Sequence, residues 1–135
     1  MGSHDIYGKK ILLEATNGLA KTLGATVEVD YGAGYPARID GTFENIAIEI
    51  ESRTSKQVRG AVLDLICHSF PKKLLLLLPV HMSNPEVAAT QCRSILDRLC
   101  GQSTYEVLVL TGHGDNPNPE TDTALIREAI ARLRD

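Results

Sequence analysis

The spacing of hydrophobic and polar positions changes repeatedly along the chain, and each change marks a predicted element. Apolar residues recur every three or four positions, as on one face of an amphipathic helix, in residues 5–22, 54–69, 85–100 and 125–133. Alternating or continuously apolar segments of strand length occupy residues 25–31, 37–41, 46–51, 74–78 and 105–110. The pattern therefore predicts the element order αβββαβαβα.

This element order predicts one α/β domain over residues 1–135. Short turns join the first three strands, so we expect an antiparallel meander, whereas the helical connections that follow are long enough to make the last strands parallel. The run Leu74–Leu78 contains no polar position, which is typical of a strand covered on both faces. We therefore expect a mixed five-stranded sheet with helices on both faces and this strand near its centre.

Composition narrows the function classes. The formal net charge of −3 excludes binding to nucleic acid through bulk positive charge, so any such contact must be local. The three cysteines lack CxxC spacing, which favours reduced thiols over a zinc or redox site. No apolar run approaches the ~20 residues of a membrane span, and the N-terminus is too polar for a signal peptide. We expect a cytoplasmic protein that has no membrane partner.

Acidic residues cluster around the third predicted strand. Glu49 and Glu51 alternate with isoleucines, so both leave one face of that strand, and Asp40 on the preceding strand should fold back beside Glu49. Three carboxylates held this close repel each other unless a cation lies between them, and an all-oxygen set without His or Cys favours Mg²⁺ or Mn²⁺. Such an ion activates water and stabilises charge on phosphate, which favours phosphodiester hydrolysis. The alternative is that Glu49 and Glu51 form the solvated face of an edge strand.

The same residues resemble a known nuclease motif. Ile39-Asp40, eight intervening residues and Glu49-Ile50-Glu51 are similar to the PD-(D/E)XK motif of restriction-endonuclease-like nucleases. The α, βββ, α, β order over residues 5–78 also resembles the common core of that family. The resemblance implies that Asp40 and Glu49 bind Mg²⁺ and that the protein is an endonuclease.

The resemblance also implies partners. The expected substrate is nucleic acid, DNA above all, and small nucleases of this fold often use a second protomer to embrace a duplex. The apolar face of the last helix is either the interface of such a homodimer or a face that packs on the core, since both have the same sequence pattern. Basic residues are candidates for a rim around the acidic site that contacts nucleic acid: Lys9, Lys10, Arg53, Lys56 and Arg59. The alternative is that they are scattered surface charges.

The chain departs from the motif at its last position. Glu51 stands where the family has the lysine that positions and activates water, so Glu51 is a candidate third metal ligand or general base. Lys56, and after it Arg53, are candidates for a lysine displaced to the following helix. Gln57 either reaches the site from that helix or closes a capping box with Thr54.

Two other function classes stay open. A chain that kept the fold after losing the lysine would be a non-catalytic binding or assembly module. A small-molecule-binding or hydrolytic α/β domain would instead use His81, His113 and Asp115, which follow strands four and five where parallel sheets commonly bind ligands. His4 receives no functional weight, because Met1–His4 can be the remnant of an expression tag.

Overall fold

The computed structural model describes residues 2–32, 34, 36–53 and 55–134, leaving aside the side chains of residues 36, 55 and 56. The helices in this part of the chain are α1 (Ser3–Ala15), α2 (Ser55–Cys67), α3 (Pro85–Cys100) and α4 (Pro119–Leu133). The strands are β1 (Glu28–Asp30), β2 (Pro36–Arg38), β3 (Gly41–Phe43), β4 (Ile46–Glu51), β5 (Lys72–Leu77) and β6 (Tyr105–Val109). A single 3₁₀ turn, Ala25–Val27, precedes β1.

The main sheet has four strands in the order β3-β4-β5-β6. Strand β3 is antiparallel to β4, whereas β4, β5 and β6 run parallel to one another. Strands β1 and β2 form a separate two-stranded antiparallel sheet. The predicted α/β class and the mixed sheet are confirmed, and the leucine strand β5 lies inside the sheet, but the predicted single five-stranded sheet is wrong.

The five-stranded prediction fails because the second predicted strand breaks at Asp40. Residues before the break pair with β1 and residues after it pair with β4. At the break, carboxylates bond the backbone: the Asp40 N–H donates to Glu49 Oε1 at 2.8 Å, and the Ile50 N–H donates to Asp40 Oδ2 at 2.7 Å. These side-chain bonds satisfy amides that a continuous strand would pair with carbonyl groups.

The first helix is shorter than its pattern predicts. Helix α1 ends at Ala15 because Asn17 and Gly18 have positive φ values of 55° and 78°, and the Gly18 N–H donates back to Leu13 O at 2.7 Å. Leu19 and Leu23, predicted to be on the inner face of the helix, are 68% and 73% exposed. The segment after α1 instead pairs Lys21 with Thr42 along β3.

Helices cover both faces of the main sheet, as predicted. Ile46, Ile48 and Ile50 of β4 share one core with the inner faces of α1 and α4. The opposite core joins the sheet to α2, α3 and the β1–β2 sheet. The apolar face of α4 is therefore used inside the protein and does not supply the predicted dimer interface. No helix in the described ranges is long and apolar enough to cross a membrane.

A close approach of α1 to β4 generates the first testable prediction. A Cβ atom on Gly8 would lie 2.5 Å from Ile50 Cγ2, so we expect Gly8→Ala to lower the free energy of unfolding by about 1–3 kcal/mol. Gly60→Ala in α2 is the matched control, since nothing lies within 4 Å of its Cβ position and it should gain about 0.5–1 kcal/mol. Urea denaturation measures the free energy of unfolding of both variants. Stabilisation by both substitutions would contradict the close approach.

Candidate functional site

The three predicted acidic residues lie in one polar cleft of about 500 Å³. The cleft forms where the break between β2 and β3 meets the carboxyl end of β4 and one side of α1. Its described lining residues are Asp5, Lys9, Arg38, Asp40, Glu49, Ile50, Glu51, Arg53 and Asp64. Five carboxyl groups therefore face three cationic side chains. This mixture suits a divalent cation together with an anionic group such as a phosphate.

Asp40 and Glu49 form a reciprocal pair. The β3–β4 register places Gly41 opposite Ile48, so continuing it by one residue places Asp40 opposite Glu49. Each carboxyl group then accepts a backbone N–H from the other strand, and the two side chains also hydrogen-bond to each other. Glu49 is only 7% exposed. Backbone hydrogen bonds thus fix the position of both carboxyl groups, with Glu49 buried and Asp40 half-buried at the cleft.

Burial controls the protonation of this pair. Burial raises the pKa of Asp40, although the hydrogen bonds from Ile50 and Glu49 and the charge of Lys9 oppose the shift. Burial also raises the pKa of Glu49, and the charges of Asp40 and Asp64 raise it further. The raised pKa values favour a state in which the two carboxyl groups together retain a proton. A divalent cation can replace that proton, because Mg²⁺ binds through one or two carboxylates and fills its other positions with water.

The charge of Glu51 is compensated by an arginine, whereas Asp40 and Glu49 form a pair with each other. Arg53 Nε and Nη2 donate to Glu51 Oε1 at 2.7 Å and Oε2 at 2.8 Å, and the Arg53 backbone N–H donates to Oε1 at 2.9 Å. Burial alone would raise the pKa of Glu51, but these hydrogen bonds and the charge of Arg53 outweigh it and lower the pKa. The structure thus pairs Asp40 with Glu49 and Glu51 with Arg53. The three carboxyl groups do not converge as predicted, because the guanidinium engages both Glu51 oxygens.

The predicted assisting residues lie in different places. The Lys56 side chain and Thr54 fall outside the described residues, so neither the displaced lysine nor the capping box can be located. Gln57 is exposed in the first turn of α2 and is not among the described lining residues of the cleft. Arg59 lines an apolar groove between α2 and α3 and does not face the carboxyl groups. Of the five predicted basic contacts, Lys9 and Arg53 are shown at the cleft.

Sequence reasoning did not assign Asp5, Arg38 and Asp64 to the site, whereas Lys9 was among the basic residues expected around it. Asp5 and Lys9 are four positions apart, and this spacing places them on one side of α1. Arg38 precedes Asp40 by two positions, which is the same-face spacing of a strand. Asp64 lies three positions after buried Ala61 of α2 and accepts a hydrogen bond from the Tyr31 hydroxyl. These spacings were available as signals, but only the tertiary contacts connect them to Asp40.

Comparison of the chain with protein-family models, with curated proteins and with solved structures finds no match. The proposals for its function therefore rest on the chemistry of the cleft.

The Glu49 pKa generates a prediction about pH. Above its ordinary value near 4.5, folded Glu49 keeps a proton that unfolded Glu49 has lost, so wild-type stability falls as pH rises. Glutamine cannot ionise and can still donate to Asp40. We expect Glu49→Gln to be more stable than wild type by about 1–3 kcal/mol at pH 8 and similar to it at pH 4.5, in urea denaturation with EDTA.

Glu44→Gln is the control for this prediction. A hydrogen bond from Arg134 lowers the pKa of exposed Glu44, so its effect should have the opposite sign and be small. Loss of stability at pH 8 in Glu49→Gln would contradict a shared proton.

The Glu51–Arg53 pair generates a prediction about stability. Arg53→Gln leaves a carboxylate that is 4% exposed without its guanidinium. We expect a loss of about 1–2 kcal/mol at pH 7, less than for a fully buried pair because Arg53 is 62% exposed. The lowered pKa of Glu51 means that the pair stabilises the fold above pH ~4.5, and this contribution disappears as pH falls through the lowered value. Thermal or urea unfolding at pH 7 and pH 3.5 measures the difference in stability between wild type and Arg53→Gln.

Arg59→Gln is the control for this prediction. An equal loss of stability in both variants would contradict the pairing.

Proposed function

We propose that this protein is a Mg²⁺- or Mn²⁺-dependent nuclease of the PD-(D/E)XK type that hydrolyses phosphodiester bonds in DNA. The observation that carries the proposal is the Asp40–Glu49 pair, in which each carboxyl group accepts a backbone N–H from the opposite segment, in a cleft that Lys9 and Arg38 also line. Asp40 and Glu49 are also the two positions that the motif assigns to metal binding. Their all-carboxylate chemistry fits a hard divalent cation.

Each lining residue then has a defined role. Asp40 and Glu49 would hold the ion, which when bound lowers the pKa of a coordinated water and stabilises charge on the phosphate. Arg38 and Lys9 would bind the phosphate oxygens. Glu51 is unsuited to act as general base, because its lowered pKa makes it a weak proton acceptor.

Lys9 supports the catalytic form of the proposal. The motif lysine is replaced by Glu51, yet Lys9 reaches the same cleft from α1, and its charge opposes the rise in the Asp40 pKa. A cation at this position can orient water or stabilise the attacked phosphate, as the motif lysine does. We propose that Lys9 supplies this function from a different element of the fold.

The decisive experiment combines cation binding with cleavage. Calorimetry with MnCl₂ and MgCl₂ should show binding to wild type and a loss of at least about tenfold in affinity in Asp40→Asn. Cleavage of plasmid and single-stranded DNA should require the cation and fall in that variant. Lys9→Gln should keep cation binding but lose at least about tenfold in cleavage rate. Glu128→Gln, on the exposed side of α4, should change neither quantity.

The results also test a second candidate, a non-catalytic nucleic-acid-binding or assembly module. The observation in its favour is the Arg53–Glu51 ion pair at the position of the family lysine. Under this proposal DNA binding persists in EDTA, measured by fluorescence anisotropy, and no cleavage occurs with any cation. Failure of wild type to bind Mn²⁺ and Mg²⁺ would overturn the nuclease proposal.

A further inference from the structure

Three of the four histidines of the chain meet at one point outside the carboxylate cleft. His4 lies in the first turn of α1, His81 follows β5, and His113 follows β6. The His4 ring centroid is 5.3 Å from that of His81 and 5.2 Å from that of His113. Because β5 and β6 are parallel, their carboxyl ends bring both loops to the same edge of the sheet as the start of α1.

An acidic ligand completes this cluster. His4, His113 and Asp115 each offer one ligand atom, and these atoms lie within 4.8 Å of one another. His4 Nε2 lies 3.9 Å from Asp115 Oδ2. Two ligands of a tetrahedral zinc ion lie roughly 3.3 Å apart, so each pair of these atoms would have to approach by at most about 1.5 Å to hold an ion.

We propose that His4, His113 and Asp115, with His81 beside them, form a binding site for a zinc-class transition-metal ion. The sequence offered no reason to weight His4, since Met1–His4 can be the remnant of an expression tag, and its place in the proposal rests only on its contacts with His81, His113 and the Gly114 amide. Imidazole nitrogens with one carboxylate are the ligands that Zn²⁺ prefers, whereas Mg²⁺ prefers oxygen alone. The proposal does not depend on the nuclease activity, because the two sets of ligands share no residue.

The loop that carries His113 and Asp115 is organised by a fully buried carboxylate. Asp122 of α4 accepts hydrogen bonds from Tyr7 Oη at 2.6 Å, from Thr111 N and Oγ1 at 2.7 Å, and from Gly112 N at 3.0 Å. These bonds tie the loop after β6 to α1 and to α4. A loop held at several points keeps its ligands in place, which lowers the cost of ordering them around an ion.

The loop also packs directly on the first turn of α1. A Cβ atom on Gly114 would lie 2.7 Å from the backbone of Ser3, so only glycine allows this approach. Backbone bonds between His113 and Asn116, at 3.1 and 3.2 Å, close the turn that carries Asp115. The relative positions of His4 and His113 are thus set by backbone contacts as well as by their side chains.

Metal binding requires a rearrangement at each histidine ligand. The Gly114 N–H donates to His4 Nδ1 at 3.0 Å, and the Asp115 N–H donates to His113 Nδ1 at 3.3 Å. Ligation through Nε2 would place the remaining ring proton on Nδ1 of each histidine and release both amides to water. Loss of each such hydrogen bond costs roughly fivefold in affinity, a small part of what a zinc site supplies. Asp115 and His81 are exposed, so an ion can enter from solvent.

The test is calorimetric titration of the full chain with ZnCl₂, on protein that carries no polyhistidine tag. We expect one Zn²⁺ per chain and a loss of at least about tenfold in affinity in both His113→Ala and Asp115→Asn. Asp115→Asn alters an exposed side chain and should fold, so it tests the site even if His113→Ala does not fold. Co²⁺ should give the visible absorption of a nitrogen- and oxygen-ligated site without a thiolate charge-transfer band.

Two control variants test whether zinc binds elsewhere, at an exposed thiol or at the carboxylate cleft. Cys67→Ser removes an exposed thiol, and Asp40→Asn removes a carboxylate of the cleft. Both should keep the zinc affinity of wild type. Loss of binding in either control, or unchanged binding in both His113→Ala and Asp115→Asn, would overturn the site. Absence of zinc binding to wild type would do the same.

Discussion

The structure depends on burying strand β4 together with two carboxyl groups. Every residue of β4 is buried, with isoleucines against α1 and α4 and the glutamates on the other face. An uncompensated buried carboxylate is costly, so each glutamate requires its own partner. Glu49 forms a hydrogen-bonded pair with Asp40, in which burial and the Asp40 charge raise the Glu49 pKa, whereas Glu51 accepts hydrogen bonds from the Arg53 guanidinium. The polar cleft lies where the Asp40–Glu49 pair and the Glu51–Arg53 pair are adjacent.

The same compensation shapes the sheet. Bonding of the Asp40 and Ile50 amides to side-chain carboxyl groups interrupts the strand that would otherwise run from residue 36 to residue 43. The first half of that segment joins β1 and the second half joins β4. The Asp40–Glu49 pair therefore lies at the point where the two sheets separate, and the cleft opens at the same point.

Helix α1 connects the two clusters of chemically active side chains. Asp5 and Lys9 line the cleft, whereas His4 and Tyr7 contact the loop after β6. Gly8 lets the helix approach β4 closely enough for both contacts to form. The position of a single helix thus sets the electrostatic environment of Asp40 and the geometry of the histidine cluster. A shift of α1 would alter both.

The sequence by itself determined the features whose signal is local: the α/β class, the interior leucine strand and the placement of Glu49 and Glu51 on one face. Hydrophobic period reports which side of an element is buried, and this is a property of neighbouring residues. Only the tertiary structure decided the partner of each carboxylate, the break at Asp40 and the arrival of Lys9 and His4 from α1. These depend on contacts between distant segments, because the cost of a buried charge is met by whichever group the fold brings within reach.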